Sequence, residues 1–215
     1  MIFSGFFTRL RAGTGFALLL LSLVHGGASA AESDALTEAV VIFNTVCAKC
    51  HEAQCSGRLS FGESLEQASG HITRYYDQAS GKKWLQKELF NILNHMKVKC
   101  AYYPMNVVVP KMRIWSGPLL DRMSTLLKKY YFIPLGGFSP GEYRLEMELE
   151  EDTKAVVHLV SESFEMAIED CHQSTGKRLS IPFSIEEKGN YYFRMYPYTP
   201  VRIMHLAITT AEEIR

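Results

Sequence analysis

The chain has 215 residues, with 23 basic and 23 acidic side chains, and 47% of its residues are hydrophobic. This length and composition predict one or two globular domains, and without a basic tract or a repeated aromatic pattern we expect no nucleic-acid partner. The charge is uneven, because residues 31–132 hold 13 basic and 9 acidic side chains whereas residues 133–215 hold 8 and 14.

The first thirty residues have the composition of a secretory signal peptide. Arg9 and Arg11 precede the apolar run FALLLLSLV, and the small residues ASA follow at 28–30. A positive start, a short apolar run and an A-x-A-like site predict cleavage after Ala30. The apolar run is shorter than the ~20 residues that span a bilayer. We therefore expect a periplasmic or secreted protein with no stable membrane span.

The next segment leads into a cluster of cysteines. Leu36, Val40 and Phe43 recur at helical spacing, which predicts an amphipathic helix. Cys47, Cys50 and His51 then form C-x-x-C-H, the sequence signature of covalent haem attachment. Two thiols three residues apart can each bond one vinyl group of the same porphyrin, and the adjacent imidazole can bind its iron. The sequence therefore predicts one haem c, with these three residues binding it.

A zinc site, an iron–sulfur site and a redox dithiol would each need a sequence feature that this cluster lacks. A structural zinc site normally shows a second pair of ligands downstream. The plant-type ferredoxin spacing is C-x4-C-x2-C, whereas Cys47, Cys50 and Cys55 run in the opposite order. A redox dithiol is expected in a βαβ setting, and the flanks of this motif predict helix.

The helix and the motif together indicate a family. Ala39 and Phe43 stand eight and four residues before Cys47. On these residues and the C-x-x-C-H, the chain resembles the class I (monohaem) cytochrome c family over about residues 34–132. The resemblance implies a mainly α domain in which the first helix crosses the last one closely around the haem.

Helical spacing predicts two further helices in this region, at 83–96 and 118–131. In the second of them, Leu127 and Tyr130 resemble the leucine–aromatic pair of the family. The resemblance implies that this pair packs against the first helix.

A candidate second ligand of the haem iron lies between these helices, in KCAYYPMNVV. Met105 follows Pro104, and the resemblance implies a distal methionine in this region. His51 and Met105 would then be the axial ligands, and a thioether ligand raises the reduction potential. His95 is the rival distal ligand and would give bis-histidine iron. We expect the other histidines, including His71, at the surface or in structural roles.

Two further cysteines fall inside the predicted haem domain. Cys55 and Cys100 could form a disulfide in an oxidising compartment. Cys171 would then be buried, free, or bonded to one of the other two, so the pairing stays open.

The second part of the chain predicts β structure. Apolar residues alternate with polar ones over 143–149 and 179–185, and four more short strands are expected near 155–160, 164–168, 191–196 and 202–209. About six short strands predict a small antiparallel β-sandwich. The tyrosine-rich NYYFRMYPYTP could offer a stacking surface for a sugar or partner, or could form core and cross-strand pairs.

The chain is therefore predicted to contain a signal peptide (1–30), a cytochrome c-like haem domain (31–132), a linker (133–141) and a β-sandwich-like domain (142–215). We expect an exported one-electron carrier, not an enzyme and without catalytic residues, whose redox partner proteins meet the haem edge and whose β domain assists docking. Two alternatives stay open. One is a haem enzyme or gas sensor with open or bis-histidine iron; the other is a β-sandwich module that binds a partner or glycan and carries a cytochrome as passenger.

Overall fold

The computed structural model of the protein describes residues 36–51, 64–128 and 130–210. The predicted signal peptide and Cys55 lie outside these ranges, and so does the predicted pairing of Cys55 with Cys100. Within the ranges, no helix combines the length and the apolar character that crossing a bilayer requires.

Eight strands of the described chain form two four-stranded antiparallel sheets. Sheet 1 has the strand order β1-β8-β3-β6 and sheet 2 the order β2-β7-β4-β5. The strands are β1 Ile114–Ser116, β2 Tyr131–Phe138, β3 Gly141–Leu149, β4 Lys154–Ser161, β5 Met166–Gln173, β6 Arg178–Ile185, β7 Gly189–Pro197 and β8 Ile203–Thr210.

The strands follow the alternation of the sequence. In β6, the apolar residues are buried and the intervening polar residues exposed, so one face of the strand packs inward. Pro182 is tolerated because β6 pairs only with β3 and lies at the edge of sheet 1. Packing of the inner faces of the two sheets forms a sandwich core, which includes Trp115, Phe193 and Leu206.

Helices form a third layer. They are α1 (residues 36–51, α-helical at 36–42, π-helical at Phe43–Cys47 and α-helical again at Ala48–His51), α2 Leu65–Tyr75, α3 Lys83–Lys99 and the short α4 Gly117–Arg122. We call α1, α2 and α3 the helical layer. A second hydrophobic core joins this layer to the outer face of sheet 2, through Phe132 of β2 and Val160 of β4.

The predicted fold class, a mainly α cytochrome c domain followed by a small β domain, is wrong. Among the described residues, the eight strands of two antiparallel sheets are the largest part of the regular structure, beside four helices longer than a single 3-10 turn. The segment expected to form the last helix of the cytochrome fold belongs to the sandwich, because Leu120 and Met123 are buried in its core. Leu127, expected to pack against the first helix, is 69% exposed.

Residues 133–138, expected in a linker, belong to strand β2. Its apolar side chains point alternately into the two cores: Tyr131 and Ile133 join the sandwich core, and Phe132 joins the core shared with the helical layer. The strand shifts register between Pro134 and Gly136, where Gly136 adopts φ +81°. A conformation of this kind suits glycine, which has no Cβ.

Candidate functional site

The C-x-x-C-H motif lies at the end of α1, and its first residue, Cys47, is the last residue of a π-helical turn. The Asn44 side-chain amide donates to Val40 O (2.9 Å), and the Thr45 hydroxyl donates to Val41 O (2.7 Å). These side chains engage the carbonyls that an α-helix would pair with the backbone N–H four residues later. Ala48 N–H instead bonds to Phe43 O. Such wide turns are frequent at functional sites.

The turn places all three motif side chains on one cavity. Cys47, Cys50 and His51 are three and four residues apart on a helix, so they share one face, and all three line the same space. Between them, Lys49 approaches the rings of Tyr130 (4.7 Å from Nζ to the centroid) and Tyr196 (5.0 Å). These contacts fix the motif against the sandwich.

The cavity has a volume of about 560 Å3 and largely apolar walls. This volume falls in the range typical of sites for organic ligands and cofactors. Its apolar walls come from two helices of the layer: Phe43 of α1, and Leu89, Phe90 and Leu93 of α3.

Helix α2 forms a further wall. Ala68, His71, Ile72 and Tyr75 line the cavity, and their spacing of three and four residues puts them on one face of the helix. Ser64 begins α2 with a capping box, in which its hydroxyl accepts from Gln67 N–H while the Gln67 side chain accepts from Ser64 N–H. This S-x-x-Q pattern was the sequence signal for a helix that the sequence analysis missed.

A second imidazole thus reaches the cavity. The rings of His51 and His71 have centroids 5.7 Å apart, with an angle of 60° between their planes. The His71 ring also lies 4.7 Å from the ring of Tyr75, one helical turn along. We had expected His71 at the surface or in a structural role; its side chain is solvent-exposed in this structure and faces the cavity.

The two motif thiols differ in environment. Burial, and secondarily the neighbouring Cys50, raises the pKa of Cys47 to about 12. Cys50 is exposed. A reactive dithiol of the thioredoxin kind needs a lowered thiol pKa, so the environment of Cys47 disfavours a redox dithiol.

The two predicted distal ligands lie elsewhere. Met105 is partly buried and packs against both hydrophobic cores, and His95 packs its ring against Tyr103 with centroids 4.9 Å apart. Neither is among the described residues that line the cavity. The assignment of Met105 as an iron ligand stays a prediction.

The prediction of metal binding needs correction, whereas a free Cys171 is one of the outcomes that the sequence left open. Among residues 36–51, 64–128 and 130–210, no group of three or more His, Cys, Asp or Glu side chains could hold a metal ion. The prediction of metal binding is therefore wrong for a site built from those side chains alone. Cys171 lies exposed on β5, and no disulfide joins it to Cys47 or Cys50. Cys100, by contrast, is disulfide-bonded.

The tyrosine-rich segment mainly serves packing. Tyr191 is buried in the sandwich core, and Tyr192 packs beside Phe132 in the core shared with the helical layer. The rings of Phe132 and Tyr192 are stacked, with centroids 5.2 Å apart. Tyr198 alone among the tyrosines of this segment is largely exposed, at 67%.

No protein-family model matches the chain, and no curated protein matches it. Solved structures with some likeness include the family GH115 4-O-methyl-α-glucuronidase BtGH115A (10% identity, TM-score 0.34), over 66% of this chain and 24% of the glucuronidase. A family 35 carbohydrate binding module from Clostridium thermocellum is 14% identical with TM-score 0.28, over 38% of this chain and 70% of the module. The C-terminal domain of the sugar-binding protein EclA is 12% identical with TM-score 0.27, over 51% of this chain and 86% of that domain. TM-scores this low do not establish a shared fold.

Proposed function

We propose that the cavity binds one haem covalently, and that the protein is a β-sandwich module that carries this haem as a one-electron site. Cys47 and Cys50 would each add a thiol across one vinyl group of the haem, with the thiol hydrogen passing to the neighbouring carbon. His51 would bind the iron. The observation that carries the proposal is the convergence of these three side chains on one cavity of about 560 Å3.

The residues present fit such a group. A porphyrin is broad and apolar, and Phe43, Phe90 and Leu93 supply apolar walls. The thiols and imidazole supply the donor types that a c-type haem uses. The raised pKa of Cys47 keeps its thiol protonated at neutral pH, which separates this site from thiolate metal centres and low-pKa dithiols.

The bound haem would supply one chemistry, the gain and loss of one electron at its iron. The chain's own residues would hold the group and exclude water from its face. An electron would come from one redox partner protein and leave to another, through brief docking at the open side of the cavity. The composition of residues 1–30 supports export of the chain, so electron transfer would take place outside the cytoplasm.

Production of the full chain in a host that exports proteins and attaches haem c tests the proposal. The mature protein should begin at Ala31, and its mass should include one haem that survives denaturation. Replacing both motif thiols, Cys47→Ser with Cys50→Ser, should abolish the covalent haem. Cys171→Ser is the matched control, since this free thiol lies on β5 of the sandwich, and it should retain the haem. A wild-type chain that emerges without covalent haem from this host overturns the proposal.

Glycan binding by the sandwich is the second candidate function. It is favoured by the exposed ring of Tyr198, beside which the Lys154 ammonium lies 5.6 Å from the ring centroid. An exposed aromatic ring next to a polar group is a surface on which a sugar ring can stack. Binding of the wild-type protein to a glycan array, lost in Tyr198→Ala and retained in Tyr75→Ala, would support this function. If the wild-type protein binds no glycan on the array, this second candidate function is wrong.

A further inference from the structure

Two imidazoles, of His51 and His71, line the cavity, and only His51 belongs to the C-x-x-C-H motif. His51 comes from the end of α1, while His71 comes from the middle of α2 on the neighbouring wall. In helical proteins, cofactor and metal sites are built from side chains that facing helices direct into one interior space.

The separation of the rings matches a shared metal ion. Each nitrogen–metal bond is about 2 Å long, so two imidazoles on opposite sides of one ion have ring centroids about 6 Å apart. The centroids of His51 and His71 are 5.7 Å apart.

Helix α2 holds His71 in this place. Its capping box at Ser64 fixes the first turn, and Ala68 is buried. Tyr75 packs its ring against His71 from the following turn. The Thr73 hydroxyl donates to the carbonyl of Ser69 (3.0 Å), on the opposite side of the helix from the cavity-lining residues. The position of the imidazole is therefore set by a formed helix and does not depend on a loop.

We infer that His71 is the second axial ligand of the iron, opposite His51; the inference rests on the haem proposed above. This role falls to a histidine that the motif does not contain, in place of Met105 or His95, which are not among the described residues that line the cavity. Two imidazoles would saturate the iron, so such a site would leave no open position for carbon monoxide or oxygen. A bis-histidine site also has a lower reduction potential than a histidine–methionine site.

Spectroscopy of the haem-loaded, full-length protein tests the assignment. The ferric wild-type protein should be low-spin, should lack the methionine–sulfur absorption band in the red, and should bind carbon monoxide slowly when reduced. His71→Ala should become high-spin and bind carbon monoxide rapidly, and added imidazole should restore the low-spin spectrum. That rescue would not follow if His71 only supported the fold.

A second variant and two controls distinguish His71 from Met105 and His95 as the ligand. His71→Met should stay low-spin, gain the methionine–sulfur band and show a higher potential. Met105→Leu and His95→Ala should keep the wild-type spectrum. If instead Met105→Leu turns high-spin while His71→Ala does not, Met105 is the ligand and the inference is wrong, although the proposed haem stands. If no variant and no wild-type sample carries covalent haem by mass, the proposed function itself fails.

Discussion

The sandwich and the helical layer differ in how completely each fills its own interior. Between its two sheets, the sandwich buries Trp115, Phe193 and Ile203 completely. The helical layer encloses a cavity instead, and large side chains on its border stay exposed, including Tyr75 at 62% and Leu126 at 59%. Apolar surface turned toward a cavity gains stability when a ligand covers it. The sandwich core is thus closed by its own side chains, while the helical layer combines a buried core with a cavity that has apolar walls.

Phe193→Ala should cause the largest loss of stability, because it removes a fully buried ring from the centre of the sandwich. Truncation of a buried Phe costs about 3–5 kcal/mol. Urea denaturation should show this loss equally with and without haem, because the buried residues of the sandwich core do not line the cavity. A loss that depends on haem would contradict the independence of the two regions.

Leu93→Ala should behave in the opposite way. The side chain is only partly buried and faces the cavity, so with the cavity empty its truncation should cost about 1 kcal/mol. With haem attached the cost should rise toward about 2–3 kcal/mol, since the leucine is then covered on both sides. Denaturation of the loaded protein beside the haem-free variant that lacks both motif thiols measures the difference. Equal losses in the two forms would argue against an occupant in this cavity.

Tyr131→Phe tests the link between the sheets. Tyr131 of β2 is fully buried, and its hydroxyl donates to Val201 O (2.7 Å) and accepts from Ile203 N–H (3.2 Å) at the start of β8. Removing the hydroxyl leaves a buried backbone donor and acceptor without this partner, which costs about 1–3 kcal/mol. Thermal unfolding should show the loss with no change in haem content. A change in haem content would mean that the two regions are coupled through β2.

Alkaline pH should weaken the haem-free protein through groups at the cavity. Burial raises the pKa of Cys47 from its ordinary value of 9.0 to about 12, and burial, then Glu38, raises the pKa of Tyr76 from 10.0 to about 12. Above pH 9 the unfolded chain releases these protons first, so stability should be complete below pH 9 and decline toward pH 12. The haem-loaded protein should decline less, because a Cys47 thioether has no proton to lose.

The sequence predicted the alternating strands of the sandwich correctly, but it did not predict the two strands at its start, β1 and β2. Strands such as β3 and β6 are buried on one face, and this produces the alternation that was recognised. Strand β2 is buried on both faces, so its apolar run YFIPL does not alternate. Its first two residues were assigned to the predicted haem domain and the following ones to the linker. Strand β1 has only three residues, and its pairing with β8 is a long-range contact that no local pattern contains.

The candidate site could be predicted only where its residues are close in sequence. The motif gave Cys47, Cys50 and His51, and the structure brings these three together. His71 reaches the same cavity from another helix, and a single histidine without a motif carries no spacing signal. Helical periodicity correctly placed α3 but could not show which of its faces borders a cavity and which a core.

The pairing of β1 with β8 has a consequence for biosynthesis. Sheet 1 contains a strand made before β2 and a strand made after β7, so it cannot close until residues beyond 203 have left the ribosome. The helical segments and their thiols are synthesised earlier, before the outer face of sheet 2 on which they pack has formed. A fragment that begins after residue 138 would lack both β1 and β2, leaving each sheet with an uncovered edge prone to association with other chains.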